Sequence, residues 1–254
     1  MKKEITYWPE LANKYNTYHG RINNLFDLQI KKIGAYLNLD NCNNVLDAGC
    51  GAGRLLIPIS EQYSSIQCFG VEYSKSMYEQ CMQNILDSAA TALVQNISFQ
   101  DFIQTTNLKF DAVFFSYSLH QIEYEKNKQI EILHKTFDTL NPKRILLITA
   151  SDQLFDKSLL NLASPKLNQF DRSRFLQLNE LQKEFDVAVY ENEMNYLPYT
   201  YEEICDMIDN KFISSIQILN DSEIQQLKDI LKIYMVDLQE RWTDYYTYIT
   251  LERK

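Results

Sequence analysis

The segment VLDAGCGAGR, residues 45–54, places three of the chain's six glycines at alternate positions directly after an apolar run. A strand that turns through such glycines into a helix brings backbone N–H groups and a helix N-terminus to one point, where a ligand can approach the main chain closely. Two carboxylates follow at the ends of strand-like segments, Glu72 in GVEYS and Asp101 in FQDF. In the first place a carboxylate can accept both hydroxyls of a ribose, as the acidic residue does in dinucleotide folds. In the second it can accept an adenine amino group, with Phe102 or Ile103 packed on the ring. His120, in SYSLHQI, offers an imidazole with an unperturbed pKa of about 6.5, suited to taking a proton near neutral pH. A histidine that only holds the loop through backbone hydrogen bonds fits the same position. The dinucleotide fingerprint G-x-G-x-x-G is not met, because the third glycine is Gly53 and position 54 is Arg.

These residues need elements to position them. Residues 10–37 carry apolar positions at helical spacing and predict one or two helices, and 41–44 read as a turn. Strands are expected at VLDAG, at 66–72, at ISFQDF (97–102), at 110–118 and at RILLITA (144–150). Helices are expected between them, from Arg54 to Gln62, from Ser76 to Ala89 and over 124–140, the last stopped by Pro142. Residues 153–183 read as helical and irregular. FDVAVYENEMNY, FISSIQIL (212–219) and YYTYITLER read as strands, with helices from Thr200 and over 221–240. Alternation of strands and helices argues a mostly parallel sheet with helices on both faces.

Four motifs in order then point to one family. VLDAGCGAGR resembles the glycine-rich first motif of class I S-adenosylmethionine-dependent methyltransferases, GVEYSKSM the acidic second, FQDF the third and FDAVFFSYSLHQI the fourth, over roughly residues 40–150. The resemblance implies an α/β, Rossmann-like, doubly wound, mostly parallel seven-stranded sheet and an S-adenosyl-L-methionine cofactor. It puts Asp47 and Gly49 near the methionine end, Glu72 on the ribose diol and Asp101 on the adenine. Cys50, Gly51, Gly53, Tyr73, Met77, Phe102 and Ser116 complete the expected cofactor site. It further implies a single domain, with residues 1–38 as a helical lid and 39–254 as a core bearing a helical insert near 152–183. Tyr7, Trp8, Tyr15 and His19 of that lid, with Tyr117, are the expected acceptor contacts, unless the N-terminal helices simply pack on the core. One departure is Asn141-Pro142-Lys143-Arg144, where the family usually has a Pro-Gly-Gly turn.

Composition bounds the rest. No segment reaches the roughly 18 apolar residues of a membrane span, and the N-terminus lacks the apolar core of a secretory signal. Five cysteines without a CxxC pair suggest reduced thiols, no metal site and a cytoplasmic setting. A net charge of −9 argues against nucleic acid as partner. Ser-Tyr-Ser-Leu-His stands where an Asn-Pro-Pro-Tyr-type motif would favour methylation of a nucleobase amine. The expectation is therefore a small-molecule or peptide acceptor, no nucleic acid, no membrane, and a monomer or homodimer. A non-catalytic cofactor-binding sensor, and a fold relative running a non-methylating reaction, remain alternatives.

Overall fold

Runs that are apolar at every position must be covered on both sides, and in this chain they form the middle of a parallel sheet. The structure, a computed structural model, describes residues 23–150, 158–169, 175–197, 199–210, 213, 216 and 218–254. Strands β1 (Asn44–Ala48), β2 (Gln67–Glu72), β3 (Leu93–Asn96), β4 (Ala112–Ser116) and β5 (Arg144–Ala150) are parallel, and β6 (Asp186–Leu197) and β7 (Trp242–Glu252) complete the sheet. The order is β3-β2-β1-β4-β5-β7-β6, with β7 antiparallel to both its neighbours. Strand order reverses between β1 and β4, which opens a crevice at their C-terminal ends, where sheets of this kind bind ligands.

Each face has its own core. Leu46, Val113, Phe115, Leu147 and Ile249 pack with Phe102 of α4 (Phe99–Thr105) and with Leu133 and Phe137 of α6 (Lys126–Leu140). Val45, Phe114, Leu146, Ile148 and Tyr248 pack on the other side with α1 (Asn23–Leu37), α2 (Leu56–Gln62) and α3 (Lys75–Leu86). In α1 the contacts come from Ile30, Ile33 and Leu37, one stripe at helical spacing. A short helix, α5 (Leu119–Ile122), follows β4.

A third core lies apart from both. The connection after β5 supplies α7 (Leu159–Ala163) and a 3-10 turn (Pro165–Gln169), and the connection between β6 and β7 supplies α9 (Tyr201–Asp209) and α10 (Asp221–Lys232). Leu160, Leu167, Ile204, Ile208, Leu227, Leu231 and Trp242 join them into one helical body, and Lys166 meets Glu223 at 2.6 Å across it. Helix α8 (Leu178–Glu184) returns to the first core through Leu181.

Two expected strands are corrected. The third strand occupies 93–96, not 97–102, because Ser98 caps a helix there: its hydroxyl accepts the Asp101 N–H at 3.1 Å and donates to the Asp101 carboxylate at 2.6 Å. Residues 212–219 are not a strand at any described position. Ile213 lies in a bend and Ile216 and Ile218 in 3-10 geometry, so the apolar residues at these spacings cover one side of a turn in the helical body. Among the described residues no helix is long and apolar enough to cross a membrane.

Candidate active site

Strand β1 delivers Asp47 and Ala48 to the crevice, and the chain then turns at Gly49, whose φ is +82°. A side chain there would lie 2.6 Å from Ser118 Cβ, so the turn needs glycine for both conformation and space. At Gly51, φ +56°, an added Cβ would meet only Met77 Cε, at 3.3 Å, and the remaining space above it is open. Met77 reaches this position because Ser74 caps α3.

The loop does not offer its amides as expected. The N–H groups of Gly49 and Cys50 donate to Val71 O at 2.9 and 3.1 Å, Gly53 N–H donates to Cys50 O at 3.0 Å, and Gly51 N–H donates to Glu72 Oε2 at 2.8 Å. With these four donors turned inward, and carboxylates on both flanks, the loop is a poor phosphate cradle. It leaves a shaped floor flanked by the carboxyl groups of Asp47 and Glu72 and by the Arg54 guanidinium.

Glu72, at the end of β2, accepts Gly51 N–H on one oxygen and Ser74 N–H, at 2.7 Å, on the other. A carboxylate oxygen has room for a second donor, so both oxygens can still accept a hydroxyl. Burial pushes its pKa up, opposed by the backbone N–H groups of Ser74, Gly51 and Tyr73. Tyr73 beside it is 70% exposed, and the Asn96 side chain donates to the carbonyls of Glu72 and Tyr73, fixing this strand end. Asp101 lies exposed in the first turn of α4, three residues beyond Ser98. Phe102 is buried in the first core, its ring 6.3 Å from that of Phe110, and Ile103 is buried there too. These two rest under the strand ends as packing residues, not as an exposed surface for a ring.

Asp47 is 1% exposed, and its Oδ1 has no hydrogen-bond partner. Burial drives its pKa well up, the Arg54 guanidinium pulls it back and Glu72 adds to the rise. Arg54 donates from Nη1 to Gln29 Oε1 at 3.1 Å and from Nη2 to Ser116 Oγ at 3.4 Å. Asp47, Arg54, Ser116 and Gln29 thus share one chamber, on the α1 side of the sheet. Tyr117, with φ +53°, turns its ring edge-on to Tyr246 of β7 at 5.8 Å.

His120 sits elsewhere. Its ring is buried and lies 4.5 Å from the Phe175 ring, beside a hollow of about 20 Å³ shared with Ser118, Gln129 and Thr149. Phe115, Leu147 and Ile249, which also line this hollow, belong to the first core and Ile148 to the second, whereas Arg54, the cation acting on Asp47, bonds to Gln29 of α1, a helix of the second core. The histidine and the buried carboxylate thus have different neighbours. Tyr7, Trp8, Tyr15 and His19 lie outside the described residues.

The sequence reading missed three members of this region. Arg54 was visible only as the residue that spoils a dinucleotide fingerprint. Gln29 gave no signal, being one polar residue in an amphipathic helix, and Tyr246 reads as an ordinary strand tyrosine.

Known proteins resemble this arrangement. Residues 45–143 match the family described as "Methyltransferase domain". A stretch of 84 residues is 31% identical to the tRNA1(Val) (adenine(37)-N6)-methyltransferase of Haemophilus influenzae, covering 32% of this chain and 36% of that protein. The chain thus spans little more than a third of the length of the curated relatives it matches. Among solved structures, an S-adenosylmethionine-dependent methyltransferase from Thiobacillus denitrificans, in complex with S-adenosyl-L-homocysteine, aligns at TM-score 0.53 and 17% identity over 89% of this chain and 90% of its own. The [4+2]-cyclase SpnF aligns at TM-score 0.53 and 12% identity, over 89% and 80%.

The tRNA relatives overturn one expectation, that nucleic acid is no partner and the acceptor a small molecule. A net charge summed over the whole chain says little about one local surface, and it was the wrong ground for that exclusion. The motif order, the seven-stranded sheet with its reversed seventh strand and the matched segment agree: residues 45–143 are similar to a methyltransferase domain, and the chain has the fold of the class I S-adenosylmethionine-dependent methyltransferases.

Proposed function

We propose that the protein is an S-adenosylmethionine-dependent methyltransferase. The observation that carries this is the glycine loop with its amides turned inward between Glu72 and Asp47, whose Oδ1 has no hydrogen-bond partner, a site mismatched to a dinucleotide phosphate. Glu72 holds the ribose hydroxyls on the free lone pairs of its two oxygens. Tyr73 and Met77 flank the nucleoside, Asp101 accepts from the adenine amino group, and Asp47 faces the ammonium of the amino-acid end. Gly49, Cys50, Gly51 and Gly53 form the floor, and Ser116 closes it at the end of β4. Bound S-adenosylmethionine supplies a methyl group on a sulfonium, an electrophile that needs no further activation. The chain's part is to position the acceptor in line with that methyl group and to exclude water.

Tyr117 and Tyr246 form an aromatic wall next to this floor, and the helical body over β6 and β7 bounds the acceptor side. The likeness to tRNA adenine methyltransferases favours a base in RNA as acceptor. Incubation with methyl-labelled S-adenosylmethionine and either total tRNA or a low-molecular-weight extract tests this: label in the tRNA supports it, and label only in the small-molecule fraction overturns it. The five free cysteines fit a reducing compartment, and the cytoplasm is the location this reading implies.

The cofactor assignment is tested by calorimetric titration with S-adenosylhomocysteine. Glu72→Ala is expected to weaken binding at least tenfold, about 1.4 kcal/mol, with the fold intact by circular dichroism. Unchanged affinity in a folded variant would sink the assignment.

A further inference from the structure

The glycine loop rests on one face of α3. Met77, Cys81 and Asn84 are spaced at helical intervals along that face, and each meets the loop. Met77 Cε lies at Gly51, and Asn84 Nδ2 donates to Ala52 O at 2.9 Å. Cys81, between them, shares a thiol–thiol hydrogen bond with Cys50 of the loop. Both sulfurs fill space that glycines leave free. A side-chain carbon at Gly53 would lie 2.8 Å from Cys81 Sγ, and one at Gly70 would lie 2.8 Å from Cys50 Sγ. Both cysteines are buried in the second core, Cys81 completely and Cys50 to within 7%. Two thiols held in contact are one two-electron oxidation away from a disulfide.

We propose that Cys50 and Cys81 are a redox-responsive pair, which hydrogen peroxide joins as a disulfide that ties the glycine loop to α3 and lowers affinity for the cofactor. This rests on the cofactor reading given above and adds a control to it. Cys50, the less enclosed of the two, attacks the peroxide as its thiolate. The O–O bond breaks, the sulfur becomes a sulfenic acid, and the departing hydroxide takes up the thiol's proton as water. Cys81 sulfur then attacks the sulfenic sulfur: the S–O bond breaks, the S–S bond forms, and the hydroxyl leaves with the Cys81 proton as a second water. The two sulfurs lose two electrons and the peroxide oxygens gain them.

A disulfide holds its sulfurs at about 2 Å, closer than hydrogen-bonded thiols. The loop is therefore drawn towards α3, against the bonds from Cys50 N–H to Val71 O and from Gly51 N–H to Glu72. That strain falls on the carboxylate that receives the ribose. The Cys81 contact and burial hold the Cys50 thiol well above the ordinary thiol range, so little thiolate is present at neutral pH and the pair answers to sustained oxidant, not to traces.

The test treats the full chain with hydrogen peroxide and reads two things: the linked peptide by mass spectrometry of a digest, and S-adenosylhomocysteine affinity by calorimetric titration. A Cys50–Cys81 link is expected, with affinity about tenfold weaker than in the reduced protein and restored by dithiothreitol. The linked fraction and the loss of binding are expected to rise together. Cys42 and Cys205 are only half-buried, so the double variant Cys42→Ser, Cys205→Ser removes the two more accessible thiols, and it is expected to respond as the wild type does. Absence of the link, or a linked protein with unchanged affinity, overturns the proposal and leaves the cofactor reading intact. A double variant that no longer responds overturns it equally, by assigning the loss to the outer thiols. Reduced wild-type protein that fails to bind S-adenosylhomocysteine overturns the cofactor reading, and the control of it falls with that reading.

Discussion

Two chambers flank the C-terminal end of β4, and they are built on opposite principles. On the α1 side, Asp47 and Gln29 are buried polar groups beside the Arg54 guanidinium, and Asp47 Oδ1 makes no hydrogen bond. On the α6 side, His120 lies against Phe175 among Phe115, Leu119, Leu147 and Ile249, with Ser118, Gln129 and Thr149 as the polar lining of a hollow hardly larger than one water molecule. The first has unmet bonding capacity and the second has filled volume.

The sharpest way to break this contrast is at Gly49, where the two sides touch through Ser118. Gly49→Ala forces a side chain at φ +82° to within 2.6 Å of Ser118 Cβ, at a cost of roughly 2–3 kcal/mol. Urea unfolding should show that loss, together with loss of S-adenosylhomocysteine binding. A stable variant with intact binding would mean that the loop is not wedged between the chambers. His120 tests the separation next. His120→Ala is expected to lower turnover at least tenfold, about 1.4 kcal/mol, with S-adenosylhomocysteine affinity changed less than twofold. His120→Phe keeps a ring against Phe175, and recovery of most turnover assigns the residue to wall-building, whereas no recovery assigns it to proton transfer. A loss of cofactor affinity in either variant would merge the two chambers into one.

The smallest expected effect is a slope. Burial raises the pKa of Asp47 well above its unfolded value, and raises that of Glu72 too. Between the unfolded and folded pKa values the native state binds more protons, so stability is highest below the unfolded pKa and falls as pH rises through the folded one. Melting of the cofactor-free protein across pH 4 to about 8 should show this decline. Asp47→Asn should flatten it; an equally steep decline in that variant would place the unmet charge elsewhere.

What the sequence made legible follows the same division. Strands β1, β2, β4 and β5 were readable because burial on both faces leaves an apolar run that only a central strand satisfies. Strand β3, at the edge and largely exposed, carries no such run, and the Ser98 cap three residues before Asp101 was overlooked. The glycine loop and Glu72 could be found because local chain geometry demands those residue types. Gln29 and Tyr246 could not, since their place in the site comes from which faces of distant elements meet. Residues 212–219 were misread for a related reason: at so short a length, alternation and turn spacing share the same apolar positions.

The inward-turned amides of the glycine loop carry one more consequence. Because Gly49, Cys50, Gly51 and Gly53 are bonded within the protein itself, the loop holds its final shape before any ligand arrives. Little conformational entropy is lost when the cofactor enters, and no backbone bond has to break for the product to leave. Exchange of spent for fresh cofactor can then proceed at a rate set by whatever covers the crevice, with the floor beneath it staying still.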